Sequence, residues 1–104
     1  MQLNEDTLEN TVLEIDVQVK NAEGLHMRPA MQFVDAATRF DSEITVSNGQ
    51  TVVDGKSIMQ MSMLAATCGT RLTIKAQGSD AKEAIETLKD LVEIKKFDEP
   101  APGQ

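Results

Sequence analysis

The sequence predicts an α+β fold: an open-faced β-sandwich of order βαββαβα, in which a four-stranded, mainly antiparallel sheet carries three helices on one face. Three observations predict it. Period-two alternation of apolar and polar residues recurs in four short stretches, helical spacing of apolar residues fills the segments between them, and 104 residues suffice for one core only.

Leu13, Ile15, Val17 and Val19 alternate with Glu14, Asp16 and Gln18, the pattern of a strand with one buried face. Asn21 to Gly24 is loop chemistry, after which Ala30, Phe33, Val34 and Ala37 share one face of a helix over residues 27–38. Ile44 and Val46 alternate with polar neighbours, Asn48-Gly49 is a hairpin signal, and Thr51 to Val53 resumes β-branched character. Beyond Gly55, Ser57 and Gln60 have capping-box spacing ahead of Met61, Leu64 and Ala65, a short second helix that Gly69 is expected to end. Leu72, Ile74 and Ala76 alternate with Arg71, Thr73 and Lys75 in a fourth strand. Asp80 and Glu83 open the last helix, expected to be the longest, with Ala84, Ile85, Leu88, Leu91 and Val92 on its apolar face. Residues 1–10 form an acidic extension and residues 98–104 a Pro- and Gly-containing tail, both expected to be flexible around a domain over 11–97.

Composition narrows the function. A net charge of −7 excludes nucleic acid and anionic membranes as partners, since both require a basic surface, and leaves proteins or small molecules. Three Phe with no Tyr or Trp leave no aromatic platform for base stacking and imply an aliphatic, Met-rich core. One cysteine and one histidine cannot complete a zinc shell, so no metal or other cofactor is expected. Cys68 can form no internal disulfide, and with no base or charge beside it a structural role is expected. The acidic start lacks the basic residues and apolar run of a signal peptide, and no apolar run would span a bilayer; a cytoplasmic location is expected.

His26 stands between the Gly24 loop and the first helix and is followed by Met27, Arg28 and Pro29. With His26 as N-cap, Pro29 falls in the first turn, where a missing N–H costs nothing. The backbone N–H groups of Met27 and Arg28 and the positive end of the helix dipole then face any anion the imidazole carries. Arg28 adds a planar donor fork suited to phosphate oxygens, and a neutral imidazole can attack phosphorus as a nucleophile. On spacing alone, a lone His beside an Arg at a helix start is more often an exposed cap than a phosphoryl acceptor.

Gly24-Leu25-His26-Met27-Arg28-Pro29-Ala30 resembles the histidine signature of HPr, the phosphocarrier family of the bacterial phosphoenolpyruvate-dependent sugar phosphotransferase system. Asp54-Gly55-Lys56-Ser57-Ile58-Met59 is similar to that family's regulatory serine motif, and the likeness runs from about Val12 to Phe97. The resemblance implies an HPr-like fold and a stoichiometric carrier rather than a turnover enzyme. In it His26 accepts a phosphoryl group on Nδ1 from enzyme I and donates it to enzyme IIA domains, with Arg28 stabilising the phosphate. It also implies Ser57 as the target of an HPr kinase/phosphorylase, although as a helix cap Ser57 needs no further role. The chain is expected to act as a monomer.

Ile58, Met59, Met61, Met63 and Leu64 cannot all be buried by one short helix, and Ile58, Met59 and Met61 are expected to form a docking patch near His26. Two departures from the family stand out. The first helix offers Gln32, Asp35 and Thr38 where many relatives carry Lys or Arg, and Ser62 replaces a common Met, which puts corepressor binding in doubt. Two other functions compete with the carrier: a regulatory protein of an incomplete relay acting through Ser57, and a module that only binds partners through its Met-rich helix. His26 beside Arg28 favours the carrier.

Overall fold

The structure, a computed structural model, describes residues 11–98. The predicted extension over 1–10, and the predicted tail apart from Asp98, lie outside the described residues. Strands β1 (Val12–Gln18), β2 (Glu43–Ser47), β3 (Val52–Asp54) and β4 (Arg71–Gln77) form one sheet in the order β1-β4-β2-β3, and every pairing is antiparallel. Helices α1 (Met27–Ala37), α2 (Ile58–Met63) and α3 (Ala81–Lys89) complete the βαββαβα order.

The alternation sets the layers. Leu72, Ile74 and Ala76 of β4 point into the core with Ile44 and Val46 of β2, while Arg71, Lys75 and Gln77 stay on the outer face. Ile15 of β1 lies opposite Ile74, so the inward residues of neighbouring strands stack in register. On the helical side α1 buries Pro29, Ala30, Phe33, Ala36 and Ala37, and α3 buries Ala81, Ala84, Ile85 and Leu88. Asn48 makes the hairpin with its side chain: Oδ1 accepts from the N–H of Gln50 (3.0 Å) and of Thr51 (2.9 Å), an Asx turn across residues 48–51.

Several local expectations are corrected. The second helix ends at Met63, six residues before Gly69, because Ala65 enters the left-handed region at φ 49°; Gly69 instead makes the turn into β4. The capping box closes on one side only. Ser57 Oγ accepts from the Gln60 N–H (3.2 Å), but Gln60 Oε1 accepts from the Asp54 N–H (2.8 Å) and ties the hairpin to α2. Asp80 stands at the N-cap of α3 without capping it. Its carboxylate accepts instead from the N–H of Asp41 (2.8 Å) and of Ser42 (3.0 Å) and from the Ser42 hydroxyl, pinning the loop ahead of β2. Burial pushes this carboxyl up, yet these donors together with the backbone N–H of Asp80 itself outweigh it and leave its pKa below the ordinary value of 3.8.

The last helix, expected to be the longest, is α-helical for 9 residues against 11 in α1, then widens into a π-helical turn over Asp90–Ile94. A 3₁₀ turn follows at Lys96–Asp98, with Lys96 and Phe97 at φ 50° and 56°. Cys68, expected to be structural, is an exposed free thiol that packs no core. Among the described residues no helix is long and apolar enough to cross a membrane, and no cluster of three His, Cys, Asp or Glu is placed to hold a metal.

Candidate functional site

His26 is the N-cap of α1, with extended backbone (φ −75°, ψ −174°) and a carbonyl that accepts the first helical bond, from the Ala30 N–H at 3.0 Å. Two neighbours fix it there. Leu25 is buried, its N–H donating to the Ala66 carbonyl at 2.8 Å, and with buried Ala30 it fills the two apolar positions of a hydrophobic staple. Gly24 sits at φ 70° so close to the exit of α2 that a Cβ would lie 2.5 Å from the Ala66 oxygen. Only glycine satisfies both the left-handed backbone and this approach. The Asn21 amide closes the loop by donating to the Gly24 carbonyl at 2.8 Å.

The imidazole is exposed and has no hydrogen-bond partner among the described residues, and its side chain does not cap the helix. It borders a shallow depression of about 380 Å³ lined by Leu25, Met27, Ser62, Ala65, Ala66 and Thr67. The backbone N–H groups of Met27 and Arg28 open the helix beside it without an acceptor among the described residues, and Pro29 is buried in the first turn. An unpartnered imidazole, two amide donors without an acceptor among the described residues and the positive helix end therefore stand together at the start of α1, an arrangement that can favour an anion bonded to the ring.

Arg28 adjoins this point, but its fork is held elsewhere. Nη1 donates to the Phe97 carbonyl at 2.8 Å and Nη2 pairs with Glu23 Oε1 at 2.9 Å. Gln32, with its amide turned to suit its neighbours, donates to the same Phe97 oxygen at 3.0 Å and accepts from Arg28 Nη1 at 2.9 Å. The guanidinium thus lies beside the site with both arms engaged.

Ser57 caps α2 with its hydroxyl half-buried. The predicted docking patch divides. Met59 is exposed at 77% and Ile58 is half-buried, but Met61 is fully buried and belongs to the core. The correction follows from helical geometry: Met61 and Leu64, three residues apart, face inward, and Met59 and Met63, four apart, face outward. Sequence reasoning named Met27 only for its backbone N–H and missed the exposed side chains of Met27 and Met31 on α1, at 60% and 56%. Their four-residue spacing, off the face of Ala30 and Phe33, was the available signal. Met27, Met31 and Ile58 line one continuous cleft between α1 and α2.

The sequence model of a family described as "PTS HPr component phosphorylation site" matches residues 13–93. The phosphocarrier protein HPr of Haemophilus influenzae is 47% identical over 77 residues, 74% of this chain and 91% of its own. The crystal structure of HPr-C-His from Thermoanaerobacter tengcongensis superposes with a TM-score of 0.81 at 39% identity, covering 86% of this chain and 99% of that one. For the phosphocarrier protein HPr of Bacillus anthracis the TM-score is 0.77 at 40% identity, with 81% and 100% covered. The chain belongs to the HPr family, the phosphocarriers of the phosphotransferase system.

Proposed function

We propose that His26 is the phosphoryl acceptor, taking the group on Nδ1 from enzyme I, which draws it from phosphoenolpyruvate, and passing it to an enzyme IIA domain in sugar uptake. The observation that carries this reading is the exposed, unpartnered imidazole at the N-cap of α1 beside the free N–H groups of Met27 and Arg28. A ring nitrogen attacks phosphorus; the P–N bond forms as the bond to enzyme I breaks, and the reverse exchange occurs on the IIA domain. Protein-side catalysis is positioning and charge stabilisation, supplied by the two amides and, once Glu23 lets go, by Arg28.

The protein acts in the cytoplasm as a monomeric, stoichiometric carrier built on residues 11–97, and the exposed face of Met27, Met31, Met59 and Met63 with Ile58 receives its partners. Phosphorylation of Ser57 by an HPr kinase/phosphorylase regulates that docking. Incubation with phosphoenolpyruvate and enzyme I should yield one acid-labile phosphoryl adduct by intact mass, absent from a folded His26→Ala variant. An adduct of equal yield in His26→Ala would refute the assignment.

A further inference from the structure

A carboxylate interrupts the methionine-rich face. Along α1, Met27, Met31 and Asp35 follow at four-residue steps, placing Asp35 about 12 Å from the helix start. The cleft between α1 and the start of α2, about 460 Å³, is lined by Met27, Met31, Val34, Asp35, Thr38 and Ile58, and an adjoining one by Met27, Arg28, Met31, Gln32 and Asp35. The Asp35 side chain thus borders both apolar clefts. It is exposed, and among the described residues its carboxylate has no hydrogen bond or ion pair. The cations on its other side do not reach it: among the described residues Arg39 makes no ion pair, and Lys95 lies 3.7 Å from Asp90.

A carboxylate at the rim of an apolar contact is hydrated in the free protein and loses that water when a partner seats. A partner that offers no cation leaves it stranded, and one that offers an acidic residue adds repulsion. We propose that Asp35 is a specificity-determining residue of the docking face, accepting an Arg or Lys that projects from an otherwise apolar partner surface and rejecting partners with an acidic residue there. The net charge of −7 works in the same direction, drawing basic surfaces toward the chain.

This inference rests on the phosphocarrier reading, and the test separates the two. Initial rates of phosphoenolpyruvate-dependent phosphorylation would be measured with enzyme I from the same host, for the full chain and for Asp35→Asn, Asp35→Lys and Glu14→Lys. Glu14→Lys makes the same charge change on the outer face of the sheet, and circular dichroism confirms folding. The KM for this protein should rise about tenfold in Asp35→Lys and less in Asp35→Asn, with kcat unchanged, while Glu14→Lys stays near wild type. The salt dependence of the wild-type KM should weaken in both Asp35 variants. Normal wild-type transfer with an unchanged or lower KM in Asp35→Lys, or an equal rise in Glu14→Lys, would overturn the specificity role alone. Absence of any His26 adduct in the wild type would overturn the phosphocarrier reading and the inference with it.

Discussion

The carbonyl oxygen of Phe97 accepts a hydrogen bond from Arg28 Nη1 at 2.8 Å, joining residues 69 positions apart in the chain. Phe97 reaches this place where Lys96 and Phe97 both take left-handed backbone, at φ 50° and 56°, and turn this segment back toward the start of α1. Such a conformation costs on the order of 1 kcal/mol per residue and persists only when its surroundings hold it, here the fully buried Phe97 ring and the guanidinium.

Under the proposed function Arg28 serves two ends, and Arg28→Ala should show both. Phosphoryl transfer should slow by about 2 to 4 kcal/mol in the barrier, measured by stopped-flow mixing with phosphorylated enzyme I. Urea denaturation should report a further loss of about 1 kcal/mol as the Phe97 carbonyl loses one of its two donors and keeps only Gln32. Wild-type transfer rates in this variant would reduce Arg28 to a structural clasp.

Met59 and Met61, two residues apart, should behave oppositely. Met61→Ala is expected to destabilise the fold by about 2 to 5 kcal/mol, since Met61 is fully buried, with little effect on docking once corrected for unfolded protein. Met59→Ala should leave the denaturation midpoint nearly unchanged and raise the KM for enzyme I. Equal stability losses in the two variants would contradict the division of α2 into inner and outer sides.

Ser57→Asp, a weaker mimic of phosphorylation, should raise the KM for enzyme I while leaving the His26 titration in place. The six residues of α2 rise about 9 Å between Ser57 and the depression beside His26. Unit charges at that distance interact in water by only about 0.5 kcal/mol before screening. A charge beside Ile58 and Met59 must instead be desolvated when a partner seats, at a cost of several kcal/mol. An NMR titration of His26 displaced in Ser57→Asp, with an unaltered KM, would reverse this account.

Stability should fall in acid through Asp80. Its folded pKa lies below 3.8, so its contribution is complete above that value and is lost as pH drops through the lower, folded pKa. Asp80→Asn should cost about 1 to 2 kcal/mol at neutral pH and flatten the acid limb of the stability profile, read from urea midpoints between pH 6 and 2. An acid limb of unchanged slope would show that other carboxylates dominate it.

The strands and the place of His26 were legible in the residues because each rests on local rules: alternation at Leu72 to Ala76, the Gly24 loop, and Pro29 in a first turn. What escaped depends on distant partners. Asp80 has the spacing of a cap, yet the donors it meets come from residues 41 and 42, across the chain. Arg28 reads as a phosphate fork, but its present acceptors include a carbonyl 69 residues away. Met61 looked like its neighbours until the sheet behind α2 decided which methionines face inward.

The outer face of the sheet has a different consequence. Glu14 and Asp16 on β1 stand opposite Lys75 and Thr73 on β4, with the Thr73 hydroxyl donating to Asp16 at 2.7 Å, and the helices lie on the other side. That surface is free to accumulate or shed charge, so solubility can be adjusted there without altering the face proposed to receive partners. A fluorophore or surface tether placed at Glu14 would sit on the silent side of the molecule and leave the working side open to solution.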